Sequence, residues 1–546
     1  MTWRVAGFLD CDRIVDPGVS RGRCDRTNPS GDPVHATTPA DSSTPDRGSF
    51  GVTTVLDPPD SLAGQVEASV AGGPPEHSLR HHQLRFIRTI ALSVGIQGPV
   101  AGVIVGPAVL AGIVGGSGAL AYLLGLVAMG FVAYAFVIFS RSFNSAGSVY
   151  AFNGAALGPT YGFISAWILL LVYISFAAGV YASTADIAQT LFSSFGVSLW
   201  WVWFALAGFV PTMVFAYRSI RLSTIVIFAC EGMAVVLLTI VGAVVVAKGG
   251  YRHHAFSPSP FQLNGLALGV LGLGVVNAFS AFSGFEGAAT LGEESKRSTR
   301  TIPAAITWSL LGSATIYVVF TWIANNAFPS SDALAASPAP FVELATANIG
   351  SAMGRAINIA GVISAFGAQL ACINAANRLV FALGREVGGG ESRARNFLTR
   401  THARVGSPIG ALAVTGTASL AALLAFGFEP TAIQALTIIL EFGAYLIIVV
   451  YLMTVVAAMA WVWRHGRGIA PLGVLTMGAG VLGYVLYDTF VPFPPAPFNW
   501  VVLAAGGSAA VGVAIAAVPP VRRRLADSAL LRATRRRRFT VVAGEA

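Results

Sequence analysis

Charged residues are scarce in this chain, since only 11% of its 546 residues are Asp, Glu, Lys or Arg, whereas 55% are hydrophobic. Soluble domains carry roughly 25% charged residues, so this composition excludes an ordinary water-soluble domain. The mean hydropathy of +0.69 agrees with that exclusion. The deficit of charge places the chain in the membrane class of proteins before any motif is considered.

Cysteine and the motifs of enzymes are also missing. The four cysteines are too few and too scattered for a disulfide framework, and they lack the spacing of metal ligands. The sequence contains no HExxH motif and no P-loop, and no histidine lies within an apolar run. We therefore expect that the protein is not an enzyme and that it binds no metal and no cofactor.

Long apolar runs separated by short polar links fill the chain from residue 87 onward. About 20 helical residues cross a hydrocarbon core of about 30 Å. The sequence therefore predicts an all-α integral membrane protein with twelve transmembrane helices within residues 87–519. The expected spans are 91–114, 118–139, 159–191, 198–217, 221–247, 264–291, 303–327, 353–384, 406–428, 431–463, 469–490 and 498–519.

The two ends of the chain differ from this apolar centre. Residues 1–86 are rich in Pro, Ser, Gly, Asp and Thr and carry 8 Lys/Arg against 11 Asp/Glu, which predicts a disordered tail. Residues 520–546 carry 8 Lys/Arg against 2 Asp/Glu. A basic run beside a final span is typical of contact with anionic lipid, so we expect lipid rather than nucleic acid as its partner.

The arginines and lysines of the links indicate how the spans are oriented. Alternate links carry 14 of these residues, and the intervening links carry three, namely Lys248, Arg252 and Arg355. The 14 include Arg378 and Arg385, which we assign to the link after span 8. Positive residues stay on the cytoplasmic side, so both tails are expected in the cytoplasm and the protein in the plasma membrane.

Two spans are interrupted by small and polar residues at residues 95–102 and 282–287. Backbone that opens at membrane depth is tolerated only where it is buried in protein or lines a wet cavity. A pair of interrupted spans in corresponding halves is the best sequence indication of a transporter's binding site. The alternative is that these small residues are merely close contacts between helices.

Three stretches resemble a known family of permeases. Residues 284–294, Gly-Phe-Glu-Gly-Ala-Ala-Thr-Leu-Gly-Glu-Glu, are followed by Arg-Thr-Ile-Pro at residues 300–303. Residues 145–163 and 374–385 contain Ser-Ala-Gly-Ser-Val-Tyr and Asn-Arg-Leu-Val-Phe-Ala-Leu-Gly-Arg. The first stretch is similar to the sixth-span signature of the amino acid–polyamine–organocation superfamily, and the other two resemble its third- and eighth-span regions. This resemblance implies two inverted five-helix repeats, spans 1–5 and 6–10, with broken helices 1 and 6, plus two extra helices.

The resemblance also implies transport of amino acids or amines by alternating access. A zwitterion needs donors for its carboxylate and acceptors for its ammonium, and broken helices offer both. The expected donors are the amides of Gly98, Val100, Ala101 and Gly102. The expected acceptors are the carbonyls of Gly95, Ile96, Phe282 and Ser283, and Gly284 lets a ligand approach the backbone closely. The family suggests that Phe282 is a gate over the substrate; the alternative is an ordinary packing residue.

Four acidic residues fall within predicted spans, namely Asp186, Glu231, Glu286 and Glu441. Burial favours the neutral form of a carboxyl, and a carboxyl that gains a proton on one face and loses it on the other carries protons. We expect proton coupling at Glu286, Glu231 or Glu441. The alternatives are a cap on the second broken helix for Glu286 and hydrogen-bonded structural acids for the other two. Asp186 lies near the end of its span and is expected to be hydrated.

These observations predict a secondary active transporter that takes up amino acids with protons. An exchanger of amino acids or polyamines and an uncoupled facilitator remain alternatives, as does a membrane sensor that binds a ligand without moving it. Anionic substrates are disfavoured, because four acidic residues lie within the predicted spans and no lysine or arginine is expected deep in any of them. The acidic and basic residues between 293 and 300 form either a topology signal with local ion pairs or, as the family suggests, an inner gate.

Overall fold

The computed structural model describes residues 79, 84–143, 145–193, 195–251, 253, 255–387, 393–402 and 404–527. Most of the predicted disordered tail and the last 19 residues of the predicted basic tail lie outside the described residues. Within the described residues the chain is helical, with two isolated β-bridges and no strand. The prediction of an all-α membrane protein is confirmed.

The helices of the described residues are numbered α1 to α18 in chain order. Their bounds are Phe86–Gln97, Pro99–Val114, Gly118–Ser140, Val149–Leu157, Pro159–Ser193, Trp201–Tyr217, Ile220–Lys248, Leu268–Ala281, Ser298–Ala327, Ser331–Ala335, Pro340–Asn348, Ser351–Val387, Arg393–Leu398, Ile409–Ala425, Ala432–Arg464, Ile469–Phe490, Phe498–Ala517 and Pro519–Ala526. A 3₁₀ helix, Phe285–Leu291, lies between α8 and α9.

Each of the twelve predicted spans contains an apolar helix of the described residues. Nine described stretches have the length and apolarity to cross a membrane, with Phe86–Ser140 taken as one. That stretch has 55 residues and is interrupted at Gly98 and at Gly115–Ser117. Helices α6 and α14 have only 17 residues each, about 25 Å, which is short for a span. The count of twelve spans and the inverted repeats therefore stay predictions.

The first crossing is broken at Gly98, between α1 and α2. Gly98 adopts φ +49° and ψ 53°, a left-handed conformation that ends α1 and that glycine adopts with little strain. Pro99 then begins α2 at the position where its missing N–H costs nothing. The sixth predicted span is broken after Ala281, and Gly284 has φ +108° before the 3₁₀ helix begins. Both predicted interruptions are present.

The links meet at two ends of the helix bundle. At one end, here called the Arg-rich end, the amide of Ala146 donates to Glu293, and Arg385 pairs with the same carboxylate at 2.7 Å. Leu84 also bonds to the backbone there, at Glu294 and Lys296. At the opposite end, Ser117 donates to the carbonyl of Gln262, and Trp201 donates to that of Glu429. Helix α1 and the 3₁₀ helix thus lie on the Arg-rich side of their breaks, and α2 and α8 on the other side.

Two boundaries differ from the sequence prediction. Leu84 is fully buried and bonds to the link before α9, so the packed chain begins ahead of residue 87. Beyond residue 519 the chain continues as α18, where Leu525 is fully buried and packs near α5 and α12. A single buried leucine in a basic stretch has no periodic pattern, so the sequence did not indicate this contact.

Candidate functional site

The two breaks lie side by side and are hydrogen-bonded to each other. The Ser93 hydroxyl of α1 donates to the carbonyl of Phe285 at 2.6 Å and accepts the amide of Ala288 at 2.8 Å. One side chain therefore bonds to an amide and a carbonyl that the opened helix exposes. This arrangement satisfies the requirement that opened backbone at membrane depth is buried against protein.

Glycine allows this close approach. A Cβ added to Gly284 or to Gly287 would overlap the side chain of Ile96. Ile96, which we expected to bind substrate through its carbonyl, therefore also packs its side chain between the two breaks. Gly95 lies in a similar position, since an added Cβ would come within 2.6 Å of Ile227 and 2.8 Å of Ala371.

Substitution of Gly284 by alanine is expected to destabilise the protein strongly. A residue with a side chain at φ +108° costs about 1–3 kcal/mol, and overlap with Ile96 adds about 1–3 kcal/mol. The apparent melting temperature of the purified protein in detergent measures the loss. Gly312→Ala is the matched control, because open space surrounds Gly312 on the exposed face of α9. Equal apparent melting temperatures of the Gly284→Ala and Gly312→Ala variants would contradict this account.

The amides at the first break are mostly used within the protein, which corrects part of the prediction. The amide of Gly98 donates to the carbonyls of Val94 and Gly95, at 3.0 and 3.1 Å, so neither this donor nor the Gly95 acceptor is free. The amide of Gly102 donates to the Gly98 carbonyl at 2.9 Å. We expected every amide after the break to be open. Instead, the amide of Gly98 bonds to the last turn of α1, and its carbonyl accepts an amide from the first turn of α2.

The remaining two amides have different environments. The amide of Ala101 donates to the Ser364 hydroxyl of α12 at 3.2 Å. The amide of Val100 is the one of the four without a hydrogen bond among the described residues. On the acceptor side, the described residues make no hydrogen bond to the carbonyls of Ile96, Phe282 and Ser283. These groups are the open backbone donors and acceptors at the breaks.

Glu231 of α7 is linked to the first break by two hydrogen bonds through Ser364. Its Oε1 accepts the Ser364 hydroxyl at 2.9 Å, and Ser364 in turn accepts the Ala101 amide. The side chain is 3% exposed, and its second oxygen, Oε2, is buried without a hydrogen-bond partner in the described residues. A buried oxygen without a donor costs free energy when the group is charged, so this carboxyl is suited to hold a proton or an ammonium group.

Glu286 is fully buried at the second break, and donors surround it. Tyr451 of α15 donates to its Oε2 at 2.7 Å, and Tyr173 of α5 donates to its Oε1 at 3.2 Å. The amide of Gly284 donates to Oε2 at 3.1 Å. These contacts are those of a carboxylate that caps opened backbone, which was the alternative interpretation of this residue.

The other two acids lie away from the breaks. Glu441 of α15 is half-buried, and in the described residues it has no hydrogen bond and no ion pair. Asp186 of α5 is also half-buried, and its carbonyl accepts the Thr190 hydroxyl in the last turns of the helix. Glu231 and Glu441 occupy similar positions in spans 5 and 10, but their burial and contacts differ.

An aromatic cluster covers the breaks on the side of the opposite end. Phe282 is fully buried and meets the rings of Tyr122 and Tyr317 edge-on, with centroids 6.1 and 5.6 Å apart. Tyr122 and Tyr317 stack at 5.0 Å. The Tyr317 hydroxyl also donates to the carbonyl of Gln97 at 3.2 Å. Phe282 therefore lies where a ring could separate the breaks from that end.

Ion pairs lie at the Arg-rich end. Arg378 and Glu294 are each 2% exposed, and the guanidinium contacts both carboxylate oxygens, at 2.5 and 3.4 Å. We assigned Arg378 to a link and expected no cation deep in a span, and this was wrong. Arg378 lies inside α12, because that helix continues nine residues further, to Val387. Its partner comes from the link after the second break, which the sequence could not place beside it.

Several site residues were missed because their types are ordinary in membrane helices. Ser93, Ser364, Tyr317 and Tyr451 bond to opened backbone or to the buried acids, yet a serine or tyrosine in an apolar run commonly joins helices. Their spacing relative to the breaks carried no signal, because they come from four different helices. Among the described residues no three His, Cys, Asp or Glu side chains come together as metal ligands.

Comparison with known proteins agrees with this architecture. Residues 84–517 match the profile of a family described as amino acid permease. A branched-chain amino acid permease of Lactococcus lactis, BcaP, is 29% identical over 55% of this chain and 67% of its own length. An uncharacterized transporter of Mycobacterium tuberculosis is 28% identical over 71% of this chain and 83% of its own length. The low-affinity putrescine importer PlaP of Escherichia coli is 26% identical over 62% of this chain and 72% of its own length.

The profile covers the broken helices, the buried acids and the ion pairs of the Arg-rich end. The match to this profile confirms the resemblance that the signatures around residues 145–163, 284–303 and 374–385 indicated. The family and these relatives are transporters rather than enzymes. The chain therefore belongs to the amino acid permease family of the amino acid–polyamine–organocation superfamily.

Proposed function

We propose that this protein is a secondary active transporter that takes up amino acids by alternating access, coupled to protons. One observation carries the proposal: two broken helices lie side by side, with open backbone groups and the buried carboxyl of Glu231 next to them. Backbone dipoles at such breaks bind a zwitterion without any charged side chain. The relatives transport, by their names, branched-chain amino acids and putrescine.

The open groups define how a zwitterion would bind. The amide of Val100, at the N-terminal end of α2, is the donor for the substrate carboxylate, since helix N-termini carry a partial positive charge. The carbonyls of Ile96, Phe282 and Ser283 are the acceptors for its ammonium. The buried carboxyl of Glu231, whose Oε2 has no donor among the described residues, disfavours anionic substrates, so we expect neutral or cationic amino acids.

Glu231 is also the proposed carrier of the coupling proton. Glu286 and Glu441 were the other candidates, and the geometry supports them less. Glu286 already accepts three donors, and Glu441 has no described contact with either break. Protonation of Glu231 removes the cost of its buried charge, and release of that proton on the other face completes the cycle. No other coupling ion and no cofactor is proposed.

Phe282 is the proposed gate, and the ion pairs of Arg378 and Arg385 are proposed to hold the Arg-rich end closed in this conformation. The Arg-rich end is the proposed cytoplasmic side of the plasma membrane, because positive residues stay inside. Arg522, Arg523 and Arg524 are exposed on α18 at that side and are suited to contact anionic lipid headgroups.

Transport in proteoliposomes tests this function. A gradient of one pH unit supplies about 1.4 kcal/mol, which drives up to about tenfold accumulation of a neutral substrate that moves with one proton. We expect labelled leucine, valine or arginine to accumulate when the outside is acidic and to stop accumulating when a protonophore is added. Liposomes without protein are the control.

Two results would contradict parts of the proposal. Rapid counterflow without gradient-driven accumulation would indicate an exchanger or a facilitator instead of proton-coupled uptake. Saturable binding of an amino acid with neither counterflow nor accumulation would indicate a sensor, and the transport proposal would then be wrong.

A further inference from the structure

A stripe of polar side chains follows one buried face of α9. Ser313, Tyr317, Thr321 and Asn325 are spaced four residues apart and so lie one above another on the helix. Ser313, Tyr317 and Thr321 are at most 2% exposed. From Ser313 to Asn325 the stripe extends about 18 Å toward the opposite end, more than half of a hydrocarbon core.

Three polar atoms of this stripe are unusual because the helix does not satisfy them, although Nδ2 of Asn325 donates to the Thr321 carbonyl at 2.9 Å. Ser313 Oγ, Thr321 Oγ1 and Asn325 Oδ1 are buried and have no hydrogen-bond partner among the described residues. Other hydroxyls of α9 bond back to its own carbonyls: Thr307 to Pro303 and Thr315 to Leu311. Buried polar atoms without protein partners are typically satisfied by ordered water.

The surroundings of the stripe are narrow. A Cβ added to Gly102 of α2 would overlap the Tyr317 ring, and one added to Gly118 of α3 would come within 2.9 Å of Thr321 and 3.1 Å of Asn325. Backbones this close to the stripe exclude an amino acid from it. In the described residues no charged side chain lies on the stripe, and the titratable groups that face Tyr317 are Tyr122, which is stacked on it, and Glu231 of α7.

The inner end of the stripe reaches the first break. The Tyr317 hydroxyl bonds to the carbonyl of Gln97, whose own side-chain amide is buried without described partners. Tyr317 also contacts Gly102, and the neighbouring Ala101 amide leads through Ser364 to Glu231. Polar groups thus lie at intervals between Asn325, near the opposite end, and the buried carboxyl.

We propose that the polar stripe of α9 is a hydrated path, separate from the route of the substrate, that carries protons between the opposite end and Glu231. The proton passes between water molecules and hydroxyls of the stripe and, through water, from Tyr317 to the carboxylate of Glu231, so that each transfer breaks one O–H bond and forms another. This inference rests on the proposed proton coupling, and Ser313 and Thr321 act in it as residues that position water.

Removal of one hydroxyl tests the path through transport. Thr321→Val is expected to lower the initial rate of proton-driven uptake roughly tenfold, the equivalent of about 1.4 kcal/mol, while counterflow of the same amino acid stays near that of the wild type. Thr315→Val is the matched control, because Thr315 lies on the exposed face of the same helix. Equal rates of proton-driven uptake for the two variants would overturn the path.

A chemical readout tests hydration independently of transport. Thr321→Cys and Thr315→Cys are placed in a chain with Cys11, Cys24, Cys230 and Cys372 replaced by Ser or Ala. Silver ion is added to intact proteoliposomes, and free thiols are then labelled with a maleimide after denaturation. We expect silver to protect residue 321 and not residue 315; the lack of protection at 321 would overturn the hydrated path.

The two proposals fail in different ways. Protection at residue 321 without any proton-driven accumulation by the wild type would keep the hydrated path and overturn the coupling of uptake to protons. The opposite result keeps the coupling and overturns the path: the wild type accumulates substrate with protons, silver does not protect Thr321→Cys, and Thr321→Val takes up substrate at the wild-type rate.

Discussion

Glu231→Gln is expected to abolish the accumulation of amino acid driven by a proton gradient, a loss of about tenfold at one pH unit, while counterflow persists. Glutamine has nearly the same shape and keeps an oxygen that accepts the Ser364 hydroxyl, so the contact with the first break survives. The side-chain amide of glutamine cannot gain or release a proton near neutral pH. The measurement is uptake of labelled amino acid in proteoliposomes with and without the gradient.

Two glutamates serve as controls for this prediction. Glu441→Gln is expected to accumulate substrate as the wild type does, because Glu441 is half-buried and has no described contact with either break. Glu286→Gln is expected to weaken the second break, where the carboxylate accepts Tyr451, Tyr173 and the Gly284 amide, but not to uncouple uptake from protons. Gradient-driven uptake by Glu231→Gln at the wild-type level would show that another group carries the proton.

Arg378→Met is expected to cost about 3–5 kcal/mol of stability, because it leaves the carboxylate of Glu294 buried without its partner. The guanidinium also donates to the backbone and side-chain oxygens of Asn374, at 2.9 and 3.2 Å, and these contacts are lost as well. The apparent melting temperature in detergent and the yield of monodisperse protein measure the effect.

A second substitution separates the charge from the packing. In the double variant Arg378→Met with Glu294→Met both charges are gone, and most of the lost stability should return. Arg385→Met is expected to cost less, since Arg385 and Glu293 are 16% and 10% exposed and water still reaches the pair. A double variant as unstable as Arg378→Met alone would show that packing, rather than the unpaired charge, dominates.

Much of the fold was predictable because membrane helices obey simple rules. Lipid offers no hydrogen-bond partners, so apolar runs of about 20 residues must be helices, and the predicted spans correspond to the helices within a few residues. The interruptions were predictable for a related reason: Gly98, Pro99 and Gly284 disfavour a continuous helix wherever they occur.

The partners of the opened backbone were not predictable in this way. The sequence indicated which amides and carbonyls the breaks release, but Gly98 and Gly102 turned out to bond within the first crossing. Ser93 and Ser364 bond to the breaks from positions that are close in space and distant along the chain. Hydrogen bonds between helices depend on the rotation and depth of each helix, and apolar composition on all sides specifies neither.

The sequence by itself determined the membrane class, the family, the interrupted crossings and the identity of the acids within the spans, because composition and local backbone chemistry suffice for these. Only the tertiary structure decided which acid lies beside open backbone, that Arg378 is a buried cation paired with Glu294, and that the polar stripe of α9 is packed against α2 and α3. Each of these features is a contact between distant parts of the chain, and such contacts are set by how the helices pack.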